Sequence, residues 1–241
     1  MVTRLYLIRH GETEGADTKR YKGHIDVPLS NKGIKQMERL SEYLVQDSSK
    51  RLNQQPNPPS PPFSKGGLGG FLNAVYTSDL SRAVKSAEII ARPHVLNPII
   101  MPELRERNFG IWEGMSFDEI RVKYPEEFEA WSGNPLKFKP MQGESTIEMR
   151  DRVIEALNKI IFEIRNRKSE IEKNSSLVTR HSSPNSIAIV SHGGVNRVIL
   201  CHFLGIPLEN IFRIEQDFGA LNIIEFYDKY PVVKLINYLS P

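Results

Sequence analysis

The feature that most constrains the fold is a short apolar segment followed directly by a turn and a helical pattern. It occurs three times, as "VTRLYLI" at residues 2–8, "AVYT" at 74–77 and "SIAIV" at 186–190. Each segment is rich in β-branched, aromatic or other apolar residues, which is typical of a buried strand. Strands that alternate with helices form a mainly parallel sheet. We therefore predict a three-layer α/β fold, with helices on both faces of a mostly parallel sheet.

Helix starts are marked by polar capping residues ahead of apolar residues at helical spacing. The first predicted helix begins after the polar loop that follows the first strand and continues to about residue 46. The last segment, "LNIIEFYDKYPVVKLINYL", alternates on either side of "DKYP" and predicts a hairpin at a sheet edge. The predicted caps are Ser30, then Ser78 or Asp79, and two capping boxes, Ser116 with Glu119 and Ser145 with Glu148.

Residues 48–72 interrupt this pattern. The stretch that contains them, "DSSKRLNQQPNPPSPPFSKGGLGGFLN" at residues 47–73, has five prolines and four glycines and no apolar period. Such a segment cannot bury enough surface to offset its chain entropy. We predict one domain over residues 1–241 with a disordered insertion at 48–72. A second polar stretch, near 168–185, is predicted to be frayed helix followed by loop.

Composition indicates a soluble globular protein. Of the 241 residues 39% are hydrophobic and 25% are charged, and the formal net charge is only +3. Basic residues are mixed with acidic ones along the chain, so no nucleic-acid surface is expected. No apolar run has the ~20 residues of a membrane span, and the start lacks a signal peptide. The single cysteine, Cys201, reads as a buried helical thiol, and a cytoplasmic location is expected.

The ends of the three buried strands carry charged and titratable residues. The first strand is followed by Arg9 and His10, the second by Asp79 and Arg82, and the third by His192. In open α/β sheets, ligands bind in the crevice beyond the carboxyl ends of the strands. Two arginines and two histidines are therefore expected to converge there.

Arginine at such a place favours phosphate, because its planar fork donates two parallel hydrogen bonds to an oxyanion. A helix that starts at "HGGV" adds unpaired N–H groups and a positive dipole end. A neutral imidazole is a good nucleophile toward phosphorus. Attack by His10 would give a phosphohistidine that water hydrolyses, while Arg9, Arg82 and His192 hold the transferring oxygens.

Such a reaction needs a proton for the leaving alkoxide. The segment "ELRERNFGIWEG" offers three carboxyl groups, beside aromatic residues whose bulk favours the protonated form of an acid. From the residues alone the candidates remain Glu103, Glu106 and Glu113.

Four motifs, "LIRHGETE", "SDLSRAVKSAEII", "LRERNFGIWEG" and "VSHGGVNRVIL", resemble in that order the histidine phosphatase superfamily, which has the phosphoglycerate-mutase-like fold. The resemblance covers most of the chain outside the two polar stretches. It implies that His10 is phosphorylated, that Arg9 and Arg82 bind phosphate, and that His192 is the second pocket histidine. It also implies that Glu106 is the proton donor. Glu103 and Glu113 are then structural or surface groups.

One position departs from the family pattern. Many members have an asparagine six residues after the nucleophile, where this chain has Ala16. Thr13, Thr18 and Lys19 are candidates for the missing phosphate contact. His24, in the loop "YKGHIDVPLS", is a further candidate for contact with substrate.

Within the superfamily we favour a phosphatase over two alternatives. A phosphoglycerate-type mutase typically carries extra sequence that shields the phosphoenzyme from water, and the insertion here is too low in complexity to form such a lid. A non-catalytic phosphate-binding module would be expected to lack His10 or Glu106, and both are present. The motifs look most like α-ribazole phosphatases, which act in cobalamin synthesis. No cofactor or metal is expected, and the sequence leaves the oligomeric state open.

Overall fold

The computed structural model describes residues 2–53, 71–174, 186–228 and 230–241. They form six strands and six α-helices. The strands are β1 (Val2–Arg9), β2 (Ala74–Thr77), β3 (Ile99–Ile100), β4 (Ser186–Ser191), β5 (Leu221–Tyr227) and β6 (Tyr230–Tyr238). The helices are α1 (Asn31–Asn53), α2 (Ser81–Ala91), α3 (Phe117–Lys123), α4 (Pro125–Gly133), α5 (Thr146–Asn174) and α6 (Gly193–Leu204).

The strands form one mixed sheet in the order β3-β2-β4-β1-β5-β6. The pairs β3-β2, β2-β4 and β4-β1 are parallel, whereas β1-β5 and β5-β6 are antiparallel. The predicted α/β fold with a mostly parallel sheet is confirmed. The predicted hairpin is also confirmed, because β5 and β6 pair with each other and β6 is an edge strand.

Successive residues of the central strands point to opposite faces of the sheet, as strand geometry requires. In β1, Leu5 and Leu7 belong to the core under α5 and α6, while Tyr6 and Ile8 belong to the core under α1 and α2. All four are buried. The two cores explain why these strands are apolar throughout, since each strand is covered on both faces.

Most of the predicted helix caps are confirmed. The Ser30 hydroxyl accepts from the N–H of Gly33, and both capping boxes form. The cap predicted for α2 is wrong. This helix begins at Ser81, whose N–H donates to the distant Asp26 carboxylate, 2.8 Å away. A cap supplied from another loop leaves no local sequence pattern.

The boundaries predicted for the insertion need correction at both ends. Helix α1 continues to Asn53, past residue 46, and the buried core resumes at Leu72. Phe71 already packs edge-on against Tyr6 and His94. The middle of the predicted insertion, residues 54–70, lies outside the described residues, as do 175–185 of the second polar stretch. Helix α5 extends to Asn174.

Candidate active site

The carboxyl ends of β2, β4 and β1 lie side by side, so the residues that follow them meet at one edge of the sheet. In the parallel register Arg9 is opposite Ser191, and Thr77 is opposite Val190. A cavity of about 360 Å³ opens at this edge. The predicted site residues that line it are Arg9, His10, Thr13, Arg82, Glu106 and His192.

His10 is held in one tautomer by its own chain. Its Nδ1 lies 2.7 Å from the carbonyl oxygen of Gly11. A carbonyl can only accept, so Nδ1 carries the proton and the lone pair is on Nε2. Burial, followed by the charges of Arg9 and Arg82, holds the pKa of His10 well below its usual value. The imidazole is therefore neutral at neutral pH, the form that a nucleophile requires.

Gly11 is required because the chain passes very close to the first turn of α1. A Cβ at this position would lie 2.4 Å from the carbonyl oxygen of Gly33. The glycine after the histidine thus permits close approach of two backbones and has no positive φ. This contact fixes the loop that follows β1.

His192 faces His10 at the start of α6, with 5.1 Å between the ring centroids and 66° between the ring planes. Its Nε2 lies 2.8 Å from the Ser78 hydroxyl. Its buried Nδ1 has no protein partner within the described residues. Burial, and then the charges of neighbouring groups, holds the pKa of His192 well below its usual value. Because His192 lines the cavity, this unpartnered nitrogen is available to a ligand bound there.

Arg9 lies against the aromatic ring of Phe218, with its guanidinium carbon 3.9 Å from the ring centroid. It donates to the carbonyl oxygen of Gln216, and its buried Nε has no partner within the described part of the chain. Burial lowers the pKa of Arg9 to about 10, partly offset by the charge of Glu106. The group remains a cation at neutral pH.

Arg82 is only 2% exposed and joins α2 to the loop after β1. It donates to the carbonyl oxygens of Ile25 and Gly23, at 2.8 and 2.6 Å. Burial lowers its pKa, while the charges of Glu106 and Asp26 raise it. The buried side chain therefore fixes one wall of the cavity and places a second cation beside His10.

Of the three carboxyl candidates in "ELRERNFGIWEG", Glu106 is the one that lines the cavity. Oε1 accepts from the N–H of Arg107 and Oε2 from the N–H of Gly194, both at 2.9 Å. Its backbone carbonyl accepts from Arg152 and lies 2.9 Å from Nε2 of His24. The Glu106 side chain thus points to the start of α6, and Arg152 and His24 hold its backbone.

The other two carboxyl candidates have structural contacts. The Glu113 carboxylate accepts from the backbone N–H groups of His24 and Phe109, at 2.7 and 3.2 Å. The carbonyl of Glu103 accepts from Arg152. Neither residue is among those that line the cavity.

The remaining sequence candidates divide into two groups. Thr13 and Lys19 line the cavity together with Ala16, the position of the missing contact, and Thr13 is only 3% exposed. His24 and Thr18 are not among the lining residues, and the Thr18 hydroxyl donates to the carbonyl oxygen of Gly15. The geometry therefore favours a supporting contact for His24, behind Glu106, over contact with substrate.

Sequence reasoning missed two sets of cavity residues. One comprises the cations Arg20, Lys22, Arg107 and Arg197, whose positions on the cavity wall depend on how their loops and helices fold. The other is an aromatic wall, which we define as Phe117, Phe128 and Trp131 of α3 and α4. Their ring centroids lie 4.8 to 5.7 Å apart. A cluster of aromatic residues after the acid-bearing loop is the signal that could have indicated this wall.

The described residues contain no group of three or more His, Cys, Asp or Glu side chains placed to hold a metal ion. Positive charge in the cavity comes instead from arginine and lysine side chains. Within the described ranges, no helix combines the length and apolar character that a bilayer crossing requires. Cys201 is free and buried, as predicted.

The α/β fold and the paired histidines at its carboxyl edge are those of a phosphoric monoester hydrolase that uses histidine. Residues 5–52 and 70–239 match the model of the histidine phosphatase superfamily (branch 1). The chain belongs to this superfamily, whose members act on small phosphorylated substrates. The resemblance stated from the four motifs is confirmed.

Similar proteins extend over nearly the whole chain. Phosphoserine phosphatase 1 of Hydrogenobacter thermophilus is 27% identical over 98% of this chain and 92% of its own length. The adenosylcobalamin/alpha-ribazole phosphatase of Escherichia coli is 25% identical over 97% of this chain and 95% of its own length. The crystal structure of the alpha-ribazole phosphatase from Shigella flexneri has a TM-score of 0.71 and 27% identity, covering 98% of this chain and 96% of that one.

Proposed function

We propose that this protein hydrolyses a small phosphomonoester through a phosphohistidine formed on His10, without a metal or other cofactor. The observation that carries the proposal is the bond from His10 Nδ1 to the Gly11 carbonyl, which leaves the Nε2 lone pair in a cavity lined by Arg9 and Arg82. A neutral nucleophile beside two fixed cations suits attack on a dianionic phosphoryl group.

In the first step Nε2 of His10 attacks phosphorus, and the bond from phosphorus to the ester oxygen breaks. Glu106, in its protonated form, gives its proton to the departing alkoxide. Arg9, Arg82 and the free nitrogen of His192 donate to the three transferring oxygens, whose charge is redistributed in the transition state. The alcohol leaves, and the phosphoryl group is bonded to His10.

In the second step the Glu106 carboxylate removes a proton from water, whose oxygen attacks phosphorus as the bond to Nε2 breaks. Inorganic phosphate leaves, His10 regains its lone pair and Glu106 is protonated again. One residue thus acts as acid and then as base, as microscopic reversibility favours for such a pair of steps. The contacts of the Glu106 carbonyl with Arg152 and His24 keep this residue in place for both steps.

For the substrate we favour a phosphomonoester whose alcohol part carries a flat apolar ring, and α-ribazole 5'-phosphate, an intermediate of cobalamin synthesis, fits this description. The support is the aromatic wall, which lines the same cavity as His10, Arg9 and Arg82 and supplies stacking surface there. A phosphorylated amino acid such as phosphoserine has no ring to use that surface. A cytoplasmic location, expected from the sequence, is consistent with such a metabolite.

The mutase and the non-catalytic module remain the alternatives to hydrolysis. A panel of α-ribazole phosphate, phosphoserine, 3-phosphoglycerate and p-nitrophenyl phosphate separates the three. We expect stoichiometric release of inorganic phosphate, the highest kcat/KM for α-ribazole phosphate, and activity that resists a chelator. Phosphoryl transfer between the positions of phosphoglycerate would indicate a mutase, and phosphate binding without turnover would indicate the module.

A further inference from the structure

Ala16 lines the cavity at the position where many members of the family have an asparagine, and its methyl group offers no hydrogen bond to a phosphate. Among the substitutes suggested by the sequence, the Thr18 hydroxyl already donates to Gly15 and lies outside the lining. Lys19 lines the cavity but is exposed to solvent. An exposed lysine is strongly hydrated and is held in no single position.

Lys22 also lines the cavity, and two hydrogen bonds hold its side chain in place. Its Nζ donates to Oγ1 of Thr13, at 3.0 Å, and to the carbonyl oxygen of Glu14. An ammonium group has three N–H donors. Two are used by these contacts, and the third is available to a ligand in the cavity that Lys22 lines.

The contact with Lys22 also determines what Thr13 can do. Because the Thr13 oxygen accepts from the ammonium group, its own O–H proton is free to donate. No acceptor for that proton is seen among the described residues, although Thr13 is only 3% exposed. A buried hydroxyl that lines a cavity and lacks an acceptor is ready to donate to an anion placed there.

The surroundings of Lys22 favour an anion as well. Its pKa is lowered, first by burial and then by the charge of Arg82, and the charges of Asp17 and Glu14 offset this only in part. Its charge also contributes to the lowered pKa of His10. An anion bound between these cations relieves their mutual repulsion.

We propose that Lys22 binds the phosphoryl group directly and orients the Thr13 hydroxyl to donate to the same group, so that the pair replaces the contact missing at Ala16. This role rests on the proposed function, because it assigns the phosphate ligands of that site. It predicts a cavity in which a lysine and a threonine share the anion with Arg9 and Arg82.

The test measures inorganic phosphate as a competitive inhibitor of p-nitrophenyl phosphate hydrolysis. In Lys22→Met the inhibition constant for phosphate is expected to rise about tenfold to 100-fold, the loss typical of one charge-assisted hydrogen bond. Lys22→Arg should restore part of the binding. Thr13→Val should also weaken it, and the double variant should lose less than the product of the two single effects.

The matched control is Lys85→Met, which removes an exposed lysine of α2 that pairs with Glu88. It should leave the inhibition constant unchanged. If Lys22→Met lowers the melting temperature, Lys22→Gln replaces it in the test, because glutamine can still contact Thr13 but has no charge. The inhibition constant for phosphate is again expected to rise.

An unchanged inhibition constant in the Lys22 variants would overturn the proposal. It would also be overturned if the KM for α-ribazole phosphate rose while the constant for phosphate stayed the same, because Lys22 would then contact the leaving group. Wild-type protein that releases phosphate and forms phosphohistidine keeps the proposed function intact in either case. Loss of those two properties in the wild type would instead reject the proposed function.

Discussion

Gly194 and Glu106 are in direct contact in the lining of the cavity. The N–H of Gly194 donates to Oε2 of Glu106 at 2.9 Å, and a Cβ at position 194 would lie 2.3 Å from Oε1. The first turn of α6 therefore both binds the carboxylate and has no space for a side chain beside it. Gly194, the second glycine of "HGGV", therefore helps to position the acid Glu106 as well as forming part of the phosphate site.

Gly194→Ala is expected to displace the Glu106 carboxylate and remove its proton donation. With alkyl phosphates we expect kcat to fall about 10²-fold, the lower range for loss of general acid catalysis. With p-nitrophenyl phosphate, whose leaving group hardly needs a proton, the loss should be much smaller. Glu106→Gln should give the same dependence on the leaving group.

The control for this variant is Gly133→Ala, at the end of α4, where an added Cβ meets no atom within 4 Å. Its kcat should match that of the wild type on both substrates. Wild-type turnover of alkyl phosphates by Gly194→Ala would contradict the role assigned to this contact.

Ser78 is expected to set the tautomer of His192. When the serine O–H donates to Nε2, the ring proton is on Nδ1 and can donate to a phosphoryl oxygen. Ser78→Ala should lower kcat by about tenfold, less than the 10²–10³ lost when a transition-state donor is removed outright. Nitrogen NMR of His192 should show a mixture of tautomers.

A buried serine remote from the cavity provides the comparison. Ser41 is 6% exposed and donates to the carbonyl of Ile89. Ser41→Ala should affect stability without changing kcat. Equal kcat values for Ser78→Ala and the wild type would show that the serine has no influence on His192.

Three buried histidines are expected to make stability depend on pH. Burial lowers the pKa of His10, His94 and His192 below the unfolded value of 6.5. Below that value the unfolded chain binds protons that the folded protein does not, so the free energy of unfolding rises with pH. The melting temperature should therefore fall as pH decreases from about 7.5 to 5.5, before most carboxylates titrate.

His94 allows this linkage to be tested apart from catalysis, because it packs against Phe71 and is not among the residues that line the cavity. His94→Gln should reduce the slope of melting temperature against pH while kcat stays at the wild-type value. A melting temperature that is constant or rises toward pH 5.5 would contradict the lowered pKa values.

The aromatic wall is expected to act on the alcohol part of the substrate. Trp131→Ala should raise the KM for α-ribazole phosphate about tenfold, in line with the loss of a stacking contact and its buried area. The KM for phosphoserine should hardly change. Phe162→Ala, which removes an exposed ring of α5, is the control. An equal change for both substrates would show that the wall does not select for a ring.

The sequence predicted those parts of the fold and site that depend on local patterns. Buried strands have a distinct composition, and parallel strands share a carboxyl edge, so Arg9, His10 and His192 could be expected to meet. The capping boxes at Ser116 and Ser145 are equally local, since their two partners are three residues apart.

Other features depend on contacts between distant segments and could not be predicted in this way. The cap of α2 comes from Asp26, 55 residues before Ser81. The choice of Glu106 among three carboxyl groups needed the family resemblance, because it depends on which side chain reaches Gly194. Lys22 was missed because its partner, Thr13, identifies it only once the loop is folded.

The proposed mechanism depends most on the covalent step at His10. Rapid acid-free quenching of the wild type with labelled phosphomonoester should trap an acid-labile, base-stable phosphoprotein whose label maps to Nε2 of His10. His10→Ala should show neither label nor turnover, while its melting temperature near neutral pH indicates a folded protein. Turnover by His10→Ala, or a label on any other residue, would contradict the central claim.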